Sequence, residues 1–226
     1  MGHSVRNHLA IEIQSYDREI RRFIPGYQSL LDMASREVVR NRPNLVLDLG
    51  AGTGALAEAI LSTDDAVNVE LIDIDPEMLA QARERLAKFT PRTRFSRHSF
   101  RGRLPACDGA AASLSLHHIR TIQAKRAVYQ SIYEAILPGG TFANADAAVP
   151  ADPAARATVL QGWVEHMAGC GIERHEGYAH LERWAEEDTY FPLEEELEAV
   201  ESAGFVASCA WRHGPMAVIV GRKHSG

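Results

Sequence analysis

Apolar residues along this chain recur in two rhythms that alternate, short continuous runs and stripes at helical spacing. The runs predict strands near 44–49, 67–73, 92–96, 110–116, 140–145, 205–211 and 216–222. The stripes predict helices between them. Leu9, Ile13, Tyr16, Ile20 and Phe23 form one, and Tyr27, Leu30, Leu31, Ala34 and Val38 a second, with Pro25-Gly26 breaking the pair ahead of the first strand. Asp75 is placed to cap a third helix, with Pro76 at its first position and Leu79, Ala82 and Leu86 on its buried side. A fourth stripe, Ala124, Ala127, Val128, Ser131, Ile132 and Ala135, is expected to stop before Pro138.

Strand and helix in strict alternation favour a parallel sheet with helices on both faces, because each crossover must carry the chain back over the sheet. The last two strands flank Arg212-His213-Gly214-Pro215 and read as a hairpin. The expected fold is therefore α/β, a doubly wound, mostly parallel seven-stranded sheet ending in an antiparallel C-terminal hairpin. Residues 1–226 read as one domain: N-terminal helices over 1–43, a core over 44–150, a helical cap insert over 151–190, and a final helix and hairpin over 191–226. Glu194-Glu195-Glu196 reads as an exposed helix face.

Composition narrows the picture. With 46% hydrophobic and 24% charged residues in a chain of 226, a sizeable core can be buried. No apolar stretch is long enough for a bilayer and the first residues lack a signal-peptide core, so a cytoplasmic location without membrane contact is expected. A formal charge of -6 disfavours a nucleic-acid partner, and Arg92, Arg94, Arg97, Arg101 and Arg103 read as a solvated face. Cys107, Cys170 and Cys209 lack metal-ligand spacing and read as buried thiols.

The chemistry concentrates at Asp48-Leu49-Gly50-Ala51-Gly52-Thr53-Gly54, directly after the first apolar run. Gly50 and Gly52 let the main chain pass close to a ligand where a Cβ would intrude, and Thr53 can cap the helix that follows. Asp73 closes the second run about 20 residues on, the distance at which an acid accepts hydrogen bonds from ribose hydroxyls. Gly50-x-Gly52-x-x-Ala55 also satisfies the loose fingerprint of NAD and FAD enzymes. Asp48 separates the two: its carboxylate would repel a pyrophosphate, yet suits the ammonium and sulfonium of S-adenosylmethionine.

These residues resemble the class I S-adenosylmethionine-dependent methyltransferases. Beyond the glycine turn, Asp73-Ile74-Asp75-Pro76-Glu77-Met78-Leu79, Cys107-Asp108 through Leu116-His117-His118-Ile119, Leu137-Pro138-Gly139-Gly140, and Glu194 through Lys223 are similar to successive strand ends, turns and the closing hairpin of that Rossmann-like family. The resemblance implies methyl transfer from S-adenosylmethionine to a small-molecule acceptor by a monomer or homodimer. It also implies cofactor contacts from Asp48, Gly50, Ala51, Gly52, Gly54, Asp73, Ile74, Met78 and Leu116. Where many members carry an acid against the adenine, this chain has His98-Ser99-Phe100, so Ser99 and Phe100 take that place. Pro25-Gly26-Tyr27 is also similar to a segment of carboxy-S-adenosylmethionine synthases, which implies that Tyr16 or Tyr27 closes over the ligand. Cofactor modification of that kind, an NAD-dependent oxidoreductase and a non-catalytic interaction module remain as alternatives.

An acceptor such as a phenol needs a base, and His117 at the end of the fourth strand is the expected catalytic residue. His118 is expected to point the other way, because strand neighbours alternate. Val159, Trp163, His166 and Met167 on one helical face of the insert, and Tyr178, Leu181, Trp184 and Ala185 on another, read as core first, with the insert itself placed over the crevice to line an acceptor pocket together with the N-terminal helices. His166, His175 and His180 fit no metal-ligand pattern, and no metal site is expected.

Overall fold

In the computed structural model, which describes residues 16–225, the apolar runs become seven strands of a single sheet. They are β1 (Leu45–Leu49), β2 (Asn68–Asp73), β3 (Thr93–Arg97), β4 (Cys107–Ser113), β5 (Ile136–Ala147), β6 (Val206–His213) and β7 (Met216–Arg222). Their order is β3-β2-β1-β4-β5-β7-β6, with β7 antiparallel to both β5 and β6 and the other pairings parallel. Strands β1 and β4 are buried almost throughout, as central parallel strands covered on both faces must be. Strand order reverses between β1 and β4, so a crevice opens at their carboxyl ends.

Helices α1 (Tyr16–Phe23), α2 (Tyr27–Val39), α3 (Ala55–Thr63), α4 (Pro76–Arg85), α5 (Ile122–Ala135), α6 (Pro153–Gly169), α7 (Arg174–Trp184) and α8 (Leu193–Ser202) cover the sheet. Leu9 and Ile13, assigned to the first stripe, lie outside the described residues. Asp75 caps α4 as expected, its Oδ1 accepting from the amide of Glu77 at 2.8 Å. Buried Glu37 ties α2 to the sheet by accepting from Arg222 of β7 at 2.6 Å. None of the described helices is long and apolar enough to cross a membrane.

Four expectations need correction. Strand β4 runs from Cys107 and ends at Ser113, because Leu114 takes a left-handed conformation (φ 50°) that no strand can continue through. Helix α5 buries Val128, Ile132 and Ala135 of its expected stripe, but Ala124 and Ala127 are exposed and Lys125 and Tyr129 are buried in their stead. Lys125 is stable there because it pairs with Glu196 of α8, which also accepts from the Tyr129 hydroxyl at 2.5 Å. Glu196 is thus an interior anchor and not part of an exposed acidic face. Of the cysteines, Cys107 is buried, with its thiol pushed up to about 12 chiefly by burial, but Cys170 and Cys209 are partly exposed.

The insert's two tryptophans follow the core reading, whereas Tyr178 and Ala185, placed on the same face as Trp184, are exposed. Trp163 and Trp184 are buried together with Phe23, partly buried Tyr190 packs against Trp163, and the Trp163 indole donates to the Phe23 carbonyl at 2.6 Å. Arg22 adds a bond from Nε to the Cys170 carbonyl at 3.1 Å. The cap is therefore welded to α1, and a short segment beyond α7 reaches the crevice.

Candidate functional site

The turn from β1 to α3 uses its glycines for three different purposes. Gly50 (φ 70°) has Ser115 against it, so a Cβ would come within 2.6 Å of the Ser115 Cβ. Gly52 (φ 52°) faces open space, with nothing within 4 Å of a built Cβ. Gly54 (φ 79°) lets α3 and α4 approach, since its Cβ would meet that of Ala82 at 3.1 Å. Gly54 also occupies the cap position of α3, without a side chain to offer. The cap acceptor comes instead from Asp48, whose Oδ2 takes the Ala57 amide at 3.1 Å; the expected cap from Thr53 is corrected accordingly.

Asp73 braces this turn from β2. Its Oδ2 accepts from the Gly52 amide at 2.8 Å and its Oδ1 from the Asp75 amide at 2.9 Å. Burial raises its pKa, with those amides opposing the shift. Each carboxylate oxygen keeps a second lone pair for a ligand.

A crevice of about 520 Å³ opens over the turn, within the range of small-molecule sites. Tyr27, Asp48, Gly50, Ala51, Gly52, Asp73, Ile74, Met78, Ser99 and Phe100, all expected at the cofactor, line it. Gly54 and Leu116 do not: Gly54 serves helix packing, and Leu116 is fully buried in the core beneath β4. The side chain of Tyr16 lies outside the described residues. Sequence reasoning missed Ser115, Arg101, Arg120 and Glu187, which also line the crevice.

The two histidines exchange their expected places. Because β4 stops at Ser113, Leu116–His118 form a 3-10 turn and strand alternation no longer governs them. His118 lines the crevice, whereas His117 is buried behind it. His117 Nδ1 lies 2.6 Å from Asp146 Oδ1, and its Nε2 lies 3.7 Å from Asp188 Oδ2. Burial alone would push the His117 pKa down, but the two carboxylates outweigh it and raise it, favouring an imidazolium. Asp146 is correspondingly lowered, burial being overcome by His117 and Lys125.

Asp188 connects this pair to the crevice. Its Oδ1 lies 2.8 Å from His118 Nδ1, and its Oδ2 accepts from the Tyr190 hydroxyl at 2.9 Å. The Thr189 amide donates to the His117 carbonyl at 2.9 Å, so the cap's end and the histidine turn are fastened by main chain as well. A carboxylate accepts here, so His118 Nδ1 carries the proton and Nε2 is the basic nitrogen of the neutral ring.

At the other end, Asp48 Oδ1 is buried without a hydrogen-bond partner among the described residues. Burial pushes the Asp48 pKa up to about 7, against the Ala57 amide. An orphaned buried carboxylate oxygen on a ligand crevice calls for a cation, and a pyrophosphate would aggravate it. The donor set fits an adenosyl cofactor carrying an ammonium and a sulfonium: an acid for the cation, Asp73 for ribose, and Phe100 with Ser99 for the base.

Strand order, the closing antiparallel hairpin and a glycine turn braced by the second strand together define the class I methyltransferase architecture. Residues 46–140 match the model of a methyltransferase domain family. No curated protein matches the chain. Among solved structures, it is similar to an O-methyltransferase family protein from Burkholderia thailandensis (18% identity, TM-score 0.73, 98% of this chain and 63% of that one). It is similar to human N-acetylserotonin methyltransferase in complex with S-adenosylmethionine (22%, TM-score 0.62, 95% and 60%). A third is the O-methyltransferase NcsB1 from neocarzinostatin biosynthesis, in complex with S-adenosylmethionine and 2-hydroxy-5-methyl naphthoic acid (20%, TM-score 0.61, 92% and 55%). The chain thus spans less than two thirds of each of these three structures.

Proposed function

We propose that this chain methylates a hydroxyl oxygen of a small-molecule acceptor with S-adenosylmethionine, and that His118 accepts the hydroxyl proton. The observation that carries the reading is the placement of His118 on the same crevice as the glycine turn, with Asp188 on its Nδ1. The solved methyltransferases of the same fold, two of them named as O-methyltransferases and two holding S-adenosylmethionine, support the same cofactor and acceptor class.

When bound, the cofactor supplies a methyl group on a sulfonium, so that the acceptor oxygen forms its bond to carbon as the carbon–sulfur bond breaks and the electron pair stays on sulfur. Asp48 neutralises positive charge at the turn, Asp73 accepts from the ribose, and Gly52 leaves the approach open. Tyr27 and Phe100 line the crevice with apolar surface that excludes water. His118 on the crevice wall takes the hydroxyl proton, and Asp188 beside its Nδ1 stabilises the imidazolium that results. His117, buried between Asp146 and Asp188 with its pKa raised by those carboxylates, is a positioning residue and not the base.

The test is incubation with methyl-tritiated S-adenosylmethionine and a panel of hydroxyl-bearing metabolites, comparing wild type with His118→Asn. Labelled product from wild type, and near-absence of it from a variant that still binds S-adenosylhomocysteine, is expected. Equal rates in the two proteins would contradict the role of His118.

A further inference from the structure

The crevice is divided by charge. Its turn side is acidic, lined by Asp48, Asp73 and Asp75 from the ends of β1 and β2. Its histidine side carries two guanidiniums, Arg101 and Arg120, against one carboxylate, the exposed Glu187 of the cap. Arg101 is fixed there by donating to the His118 carbonyl at 3.1 Å. Arg120 follows His118 by two positions, beyond the buried anchor Ile119, and makes no hydrogen bond or ion pair with any described residue.

We propose that the acceptor is an anion: a small hydroxyl compound whose carboxylate, beside the reacting hydroxyl, is held by Arg120 with Arg101 next to it. The inference rests on the methyl-transfer reading for the identity of the reacting group, but the charge preference can be measured without turnover. The cofactor's ammonium and sulfonium need the acidic side, and its one carboxylate can occupy no more than one of the two guanidiniums. The basic side needs a ligand of its own, and a guanidinium pairs with a carboxylate through two parallel hydrogen bonds that an amide cannot match. An anionic acceptor also places its hydroxyl near His118, because Arg120 follows His118 by two positions and lines the same crevice. The carboxylate is recognised and remains unmethylated; the proton and the new bond belong to the hydroxyl.

The experiment titrates two isosteric pairs into protein saturated with S-adenosylhomocysteine at pH 7. The pairs are 2-hydroxybenzoate with 2-hydroxybenzamide, and 3-hydroxy-2-naphthoate with its amide. The anion of at least one pair is expected to bind about tenfold more tightly than its amide, with an advantage that shrinks as salt screens it. Arg120→Gln abolishes the advantage and Arg120→Lys retains part of it, both leaving S-adenosylhomocysteine affinity unchanged. Absence of any anion preference in both pairs overturns the proposal. So does an Arg120→Gln variant that loses S-adenosylhomocysteine affinity while keeping the preference, since the guanidinium would then serve the cofactor's own carboxylate. Label transfer from tritiated S-adenosylmethionine separates the two claims. Equal binding and methylation of amides and anions removes the anion site and keeps methyl transfer, whereas an Arg120-dependent preference without label transfer does the reverse.

Discussion

The two sides of the crevice are built in contrasting ways. The turn side is local and held by backbone: Gly50, Gly52 and Gly54 sit within one connection, braced by Asp73 from the adjacent strand at 2.8 Å. The histidine side is assembled from distant chain: Asp146 of β5, Asp188 from the end of the cap, and the His117–His118 turn after β4. Ligand binding is expected to depend on the first and proton transfer on the second. Their difference shows that a binding site can be written in one short motif, while a base and its supports require the whole fold.

The sharpest way to break this division is His118→Asn. Loss of a general base costs about 10²–10⁴-fold in kcat; steady-state assays should find this with S-adenosylhomocysteine affinity unchanged by calorimetry. Asp73→Ala is the mirror experiment. It should weaken cofactor binding by about 10–100-fold, the worth of charge-assisted hydrogen bonds, and leave kcat at saturation nearly intact. If it lowers kcat instead, the two sides are not separable.

Smaller effects test the supports on each side. Asp188→Asn should lower kcat by roughly tenfold through loss of imidazolium stabilisation and alter the pH–rate profile, with little change in cofactor affinity. Asp48 makes a pH prediction with a definite sign. Its pKa in the folded protein is raised from 3.8 to about 7, so below that pH it holds a proton that a cationic ligand must displace. Affinity for S-adenosylmethionine should therefore fall by up to about tenfold per unit as pH drops below 7, with proton release detected by calorimetry in buffers of different ionisation heat. The same raised value means that stability of the empty protein is lost as pH rises from about 4 toward 7, because only the unfolded chain ionises freely there. Asp48→Asn should accordingly raise the Tm of the empty protein at pH 8 while abolishing the pH dependence of binding.

Much of the turn side was legible in the sequence because spacing along one chain segment carries it. Asp48, Gly52 and Asp73 are set by a strand, a turn and the next strand, and all line the crevice. The distinct duties of Gly50 and Gly54 were not legible, since Ser115 and Ala82 come from elsewhere. The histidine side was half legible. His117-His118 marks the right place, but strand alternation misassigned the two rings because the left-handed Leu114 leaves no mark in residue type. Asp188 sits after a helix among Glu186, Glu187 and Thr189 with no motif around it, and only packing of the cap brings it to His118. Glu196 was misread for a related reason: it looks like a surface charge until Lys125 is opposite it.

The most direct test of the central claim is a crystal structure with S-adenosylhomocysteine bound. The account predicts the amino group at Asp48 Oδ1, the ribose hydroxyls on Asp73, and the sulfur facing the His118 side of the crevice. A ligand bound elsewhere, or a ribose turned away from Asp73 with Asp48 Oδ1 still unpartnered, would contradict it.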